Sequence, residues 1–275
     1  MLRTRQLGVI GAGNMGEALL RGVLHGGLIN ADRVLASART EGRLRELRDR
    51  LHVRTTLDNA AVVDASDVVV LAVKPQVMPE VLGPLRGRFR ANQIVLSVAA
   101  GITTGTIEEA LGVSAAVLRA MPNTPALVGE GASAYCRGRW ATAEHALVTQ
   151  AILDSVGMAV EVDEALMDPV TAVSGTGPAY IFYTLEAMIG GAVALGIPDE
   201  LARRLVKQTV LGAARLVMDA GEEPDQLRAR VTSKGGTTEA AITHLGQNGY
   251  AALVQAAIGA ACRRANELGA RKEGA

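Results

Sequence analysis

The sequence predicts an α/β fold in two parts: a doubly wound parallel sheet over residues 1–162, then an all-α part over residues 163–275. Three observations carry the prediction. Short apolar or β-branched runs alternate with helix-like stretches as far as Val162. The first of these runs opens straight onto a glycine turn. Beyond Asp163 the strand pattern stops, and the ordered stretches have helical spacing.

Leu7–Ile10 is the first strand and Met15–His25 the first helix. Arg33–Ser37 is a second strand, and a charged helix runs on to Arg50. Val53–Thr55 is a short strand and Ala60–Ala65 a short helix. Asp67–Val73 is a β-branched run suited to a central parallel strand covered on both faces. Gln76–Leu85 reads as helix, Gln93–Val98 as strand, Thr106–Leu111 as helix and Ala115–Ala120 as strand. A helix near Thr142–Val156 and a strand near Ala159–Val162 close the first part.

In the second part Glu164–Val173, Pro178–Leu195, Glu200–Asp219, Pro224–Arg230, Glu239–Leu245 and Tyr250–Leu268 read as helices. Pro178 suits a first helical turn, and Gly221 and Gly269 suit helix stops. The apolar stretch from Gly177 to Pro198 is interrupted by Glu186 and by Gly190-Gly191. It therefore reads as a buried interface helix rather than a membrane span. A helical part this rich in Ala, Gly and apolar residues implies burial against another subunit.

Composition narrows the function. Net charge is +0 and aromatic content 3%, so neither a basic field nor stacking platforms point to nucleic acid. Cys136 and Cys262 fit no metal spacing and read as thiols of a reducing compartment. Arg3 and Arg5 lead directly into the first strand with no signal-peptide pattern, and the expected location is cytoplasmic.

The glycine turn marks the first site. Gly11, Gly13 and Gly16 have G-x-G-x-x-G spacing between a strand and a helix, with Ala12, Asn14 and Met15 completing the turn. This is the context of a Rossmann-type dinucleotide site. Gly11 permits the turn, Gly13 lets the backbone approach a pyrophosphate, and Gly16 lets helix and strand pack closely. The helix N-terminus supplies amides to the anion. An acid normally ends the second strand and holds the ribose 2′-OH of NAD. Here Ser37 and Arg39 stand in its place, which favours NADPH over NADH while leaving NADH open. Arg43 and Arg45 add positive charge nearby. Ala72, Val73, Lys74 and Pro75 follow the central strand, and Ala99 and Ala100 follow the next. Both segments should line the cofactor, with Lys74 at phosphate or ribose and the alanines leaving room for a flat ring.

Acid–base groups are sparse. The four histidines, His25, His52, His145 and His244, form no metal or triad pattern. The lysines are Lys74, Lys207, Lys234 and Lys272. An alcohol dehydrogenase needs a base for the hydroxyl proton. Reduction of a protonated C=N bond does not. Ser233, Gly235, Gly236, Thr237 and Thr238 form a donor-rich helix start suited to a small carboxylate.

The blocks Gly11–Gly16, Ala72-Val-Lys-Pro75, Met121-Pro-Asn-Thr-Pro125, Ser174-Gly-Thr-Gly-Pro-Ala-Tyr180 and Val231-Thr-Ser-Lys-Gly-Gly-Thr-Thr238 resemble those of the pyrroline-5-carboxylate reductase family, in that family's order and across nearly the whole chain. The resemblance implies the last step of proline biosynthesis, reduction of Δ1-pyrroline-5-carboxylate by NAD(P)H. It implies a helical dimerisation domain and an active site shared between two subunits, with dimers commonly assembling as five in a ring. By motif, the Ser233–Thr238 turn would hold the substrate carboxylate. Thr238 would donate to the ring nitrogen, Glu164 would lie near the substrate pocket, and Asn59 would touch the adenosine side of the cofactor. Arg230 stands where some members have an Asn near the cofactor across the subunit interface, so the resemblance does not carry that contact over to this chain.

Two other readings stay open. A β-hydroxyacid dehydrogenase would need a catalytic lysine in the helical part, where only Lys207 lies well inside a helix and without that family's Gly-rich context. A non-catalytic NADP(H)-sensing module would need the glycine turn but not residues 231–239.

Overall fold

The structure, a computed structural model, describes residues 2–273; Met1, Gly274 and Ala275, which the two predicted parts include, lie outside the described residues. The strands are β1 (Leu7–Ile10), β2 (Val34–Ser37), β3 (Arg54–Thr56), β4 (Val68–Leu71), β5 (Ile94–Ser97), β6 (Ala116–Met121), β7 (Gly131–Arg137) and β8 (Gly157–Glu161). They form one sheet in the order β3-β2-β1-β4-β5-β6-β7-β8. From β3 to β6 the neighbours pair in parallel. β7 runs antiparallel to β6, and β8 parallel to β7.

The helices of this part are α1 (Asn14–His25), α2 (Glu41–Leu51), α3 (Asn59–Ala65), α4 (Met78–Leu82), α5 (Thr104–Leu111), α6 (Ala143–Asp154) and α7 (Met167–Val170). Strands β1, β4 and β5 are buried along their whole length, as helices on both faces require. Alternate residues feed two cores. Val9, Val68, Val70, Ile94 and Leu96 pack with residues of α1 and α6. Ile10, Val69, Leu71 and Val95 pack with residues of α3, α4 and α5.

The strand β7 is absent from the sequence prediction. Its residues, Gly-Ala-Ser-Ala-Tyr-Cys-Arg, carry no β-branched side chain, and pairing on both sides makes it a strand. The expected helix over Gln76–Leu85 is instead a 3-10 turn, the short α4 and a second 3-10 turn. Pro75, Pro79 and Pro84 remove amide donors from it.

The helical part contains α8 (Gly177–Ala194), α9 (Asp199–Ala220), α10 (Pro224–Arg230), α11 (Thr237–Gln247) and α12 (Tyr250–Glu273). Contacts divide the chain into two compact units, Gly177–Ala260 and the remainder. The stretch from Asp163 to Thr176, read from the sequence as the start of the helical part, therefore groups with the sheet. Met167, fully buried against Ala134 and Cys136, shows why. In contrast, α8 is apolar around its circumference yet has no buried residue; Phe182 is 56% and Tyr183 75% exposed. A helix hydrophobic all round belongs inside a protein, and this one has no cover among the described residues.

Candidate active site

The ends of β1, β2 and β4 meet where the strand order reverses, and a cavity of about 430 Å³ lies there. It is lined by Gly11, Ala12, Gly13, Ser37, Arg39, Asn59, Ala72, Val73 and Lys74, nine of the residues expected at the cofactor. Gly11 has φ +86°, and a Cβ there would stand 2.4 Å from Val73 Cγ1. Added at Gly13, a Cβ would meet only Gly11 O, 4.0 Å away. Gly16 lies within 3.3 Å, by the same measure, of Val9 and Ala72. The turn thus has the three predicted properties: a left-handed backbone, an open face for an anion, and close packing of helix on strand.

Other expected residues take different positions. Asn14, Met15, Gly16, Pro75, Ala99 and Ala100 do not line this cavity. Met15 packs its side chain against the core, leaving its backbone amide as its contribution to the helix start. Ala99 is buried in the second core and can act only through its backbone. Ser37 is buried, and its hydroxyl donates to Asn59 Oδ1 at 2.6 Å. Its hydrogen is therefore committed. Arg43 is committed too: it donates to Ala12 O at 2.9 Å and pairs with Glu17 and Glu46. Arg39 is exposed and has no ion-pair partner among the described residues. Lys74, also exposed, is the other cation that lines the cavity without an ion pair among the described residues. Leu57, Val77 and Val81 give the cavity an apolar side that sequence reasoning missed. Leu57 is 59% exposed, but an isolated leucine beside polar residues gives no periodic signal.

Two of the sequence blocks meet beyond β6. Asn123 Nδ2 donates to Ser174 O at 3.2 Å and to Ser174 Oγ at 3.3 Å, while its Oδ1 accepts from Ala132 N at 3.0 Å. Ser174 lies in a π-helical turn, Thr171–Gly175. Asn123 thus joins the end of β6, the start of β7 and that turn. Glu164 lies on the same unit. It accepts from Thr104 N at 2.8 Å and Thr104 Oγ1 at 2.6 Å, and it pairs with buried Arg119 at 3.4 Å.

In the helical unit Gly236 is the N-cap of α11 and Gly235 has φ +73°. Thr237 and Thr238 are its first two residues. Gly236 N donates to Ser233 O at 3.0 Å, and the Ser233 hydroxyl occupies the space a side chain at Gly236 would fill. Gly235 N donates to Glu239 Oε2 at 2.7 Å. The chain's own carboxylate therefore takes one of the amides expected to hold a substrate carboxylate. Glu239 and His244 line a groove of about 380 Å³ with Gly235 and Gly236; neither was among the expected site residues. α11 starts two residues before the predicted Glu239, because Gly236 caps it.

Burial pushes the Cys136 thiol up to about 12, which removes it as a nucleophile. Among the described residues no group of His, Cys, Asp and Glu could hold a metal ion. None of the helices there is long and apolar enough to cross a membrane.

The chain is 41% identical over 268 residues to the pyrroline-5-carboxylate reductase of Methanosarcina acetivorans, covering 98% of this chain and 99% of that one. It belongs to the pyrroline-5-carboxylate reductase family. Residues 164–268 match the family model for pyrroline-5-carboxylate reductase dimerisation. Residues 6–101 match a model described as NADP oxidoreductase, coenzyme F420-dependent. The structure of a pyrroline-5-carboxylate reductase from Coxiella burnetii superposes with a TM-score of 0.91 at 37% identity, covering 97% of this chain and 99% of that one. That of Plasmodium falciparum pyrroline carboxylate reductase with NADP bound gives 0.87 at 29% identity, covering 98% and 100%. The chain is thus an oxidoreductase of the class acting on C=N bonds, and its match to a dimerisation domain over residues 164–268 supports a homo-oligomer. The bare apolar surface of α8 agrees with that.

Proposed function

We propose that the chain reduces Δ1-pyrroline-5-carboxylate to L-proline with NADPH, using the cavity beyond β1, β2 and β4 for the cofactor and the Ser233–Thr238 turn for the substrate. Bound NADPH would supply hydride from nicotinamide C4. Gly11, Ala12, Gly13 and the first amides of α1 would hold its pyrophosphate. Asn59 and the apolar side at Leu57 would take the adenosine, Lys74 a phosphate or ribose, and Arg39 the 2′-phosphate. The loops after β4 and β5 (Val73 and Pro75, Ala99 and Ala100) would carry the nicotinamide half through their backbones.

The Gly235 amide and the Ser233 hydroxyl would hold the substrate carboxylate, with Gly236 shaping the turn, since its own amide already donates to Ser233 O. One observation carries this assignment: the start of α11, capped by Gly236, lines a groove of about 380 Å³ with Gly235, and Glu239 must release the Gly235 amide before a substrate carboxylate takes it. Thr237 would add an amide to the same set. The Thr238 hydroxyl would donate toward the ring nitrogen. A protonated imine accepts hydride at carbon while its electron pair withdraws to nitrogen, so no base is required. Positioning supplies most of the rate. We further assign residues 163–275 to substrate binding and dimerisation, with each active site shared between two chains and the dimers assembling into a decamer. The expected compartment is the cytoplasm.

The test is NADPH and NADH oxidation followed with pyrroline-5-carboxylate, and with a 3-hydroxy acid as the rival substrate. Turnover of the 3-hydroxy acid alone would overturn the assignment. In the same assay Arg39→Ala should raise KM for NADPH by about tenfold, the worth of one charge-assisted contact. KM for NADH should not change, because NADH has no 2′-phosphate. An equal rise for both cofactors would remove Arg39 from the 2′-phosphate.

A further inference from the structure

Thr104 is the first residue of α5, so its N–H has no acceptor within the helix. Glu164, 60 residues away in sequence, accepts that N–H at 2.8 Å and the Thr104 hydroxyl at 2.6 Å. The carboxylate also meets Arg119 at 3.4 Å, and Arg119 pairs with Asp168 at 3.3 Å. Arg119 and Thr104 are both buried. Ser97, the last residue of β5, stands opposite Arg119 in the sheet register. Glu164 therefore holds the end of one loop, Val98–Thr103, at Thr104, while the start of that loop is held by the sheet, where Ser97 pairs with Arg119. That loop continues the binding edge, since Val98 N donates to Leu71 O at 3.1 Å, next to the cavity residue Ala72.

We infer that Glu164 is a positioning residue for hydride transfer: it fixes the start of α5 and with it the Val98–Thr103 loop, and it does not bind the substrate. Both carboxylate oxygens are already engaged inside the chain. The inference rests on the proposed reaction, in which this loop carries the nicotinamide half of the cofactor. Its consequence is a division of kinetic effects. Loss of Glu164 should leave the carboxylate turn at Ser233–Thr238 untouched and loosen the alignment of donor and acceptor.

The experiment compares Glu164→Ala, Glu164→Gln and Thr104→Val with the wild-type chain, measuring kcat, both KM values, Tm, and the primary isotope effect with NADPH deuterated at the transferred position. Glu164→Ala should lower kcat about tenfold or more, in the range a small misalignment costs. The isotope effect should rise as hydride transfer becomes slower relative to product release, and KM for the imino acid should stay within about twofold. Glu164→Gln should recover most of kcat, because its oxygen can accept the Thr104 N–H and its amide can donate to the Thr104 hydroxyl. Thr104→Val keeps the backbone bond and should shift kcat and the isotope effect in the same direction, which preserves the test if the alanine variant folds poorly. A KM for the imino acid raised in both Ala and Gln variants, with kcat intact, would place Glu164 on the substrate and overturn the inference. So would a lowered Tm with unchanged kcat and isotope effect. A wild-type chain that does not oxidise NADPH with pyrroline-5-carboxylate would instead overturn the reaction, and this inference with it.

Discussion

Thr238→Ala should lower kcat by about tenfold or more while leaving NADPH affinity nearly unchanged. The variant removes a hydroxyl from the second residue of α11 without disturbing the cap, which is Gly236. Threonine to alanine does not weaken a helix interior, so Tm should hold. The hydroxyl matters most when the ring nitrogen is becoming an amine and its charge is changing, so the loss should fall on kcat more than on KM. Unchanged kcat would remove Thr238 from the mechanism. A lowered Tm would assign its role to the loop instead.

The complementary lesion is Gly11→Ala. At φ +86° an L-residue is strained, and the added methyl would stand 2.4 Å from Val73 Cγ1 and 3.0 Å from the Val73 amide nitrogen. The left-handed conformation alone costs roughly 1–2 kcal/mol, and each kcal/mol lowers Tm by about 2–4 °C in a domain of this size. Relief would push β1 and β4 apart at the crevice, so NADPH affinity should fall by at least about tenfold. Affinity retained with a normal Tm would show that the turn tolerates a side chain. The two variants together test the proposed sharing of each site between two chains. Co-refolded one to one, mixed dimers would hold one doubly damaged and one intact site, restoring about a quarter of wild-type activity. If each chain carries a complete site, mixing restores nothing.

How much of this was legible in the sequence depends on the range of each signal. The β-branched run Asp67–Val73 and the glycine turn are local patterns, and β1, β4 and α1 lie within a few residues of their predicted bounds. Pairing made β7, where Gly131–Arg137 offers little intrinsic preference. The same limit holds at the sites. Gly11 and Gly13 announce themselves by spacing. The bond from Glu164 to Thr104, the commitment of Ser37 to Asn59 and the pairing of Arg43 with Glu17 are all decided by tertiary contact. Hence spacing in the sequence can nominate residues, but only tertiary contact shows which side chains already have partners. Ser37 stands where an acid would meet the ribose of NAD, and its hydroxyl already donates to Asn59.

The bare apolar helix α8 has a last consequence. A chain that completes its core only on meeting a copy of itself obeys mass action: its folded population depends on how much protein is present. Dilution then acts as a denaturant, and a midpoint of unfolding has meaning only beside a stated concentration. On the proposed sharing of each site between two chains, the same equilibrium would set how many working sites exist, so specific activity would itself rise with the amount of enzyme.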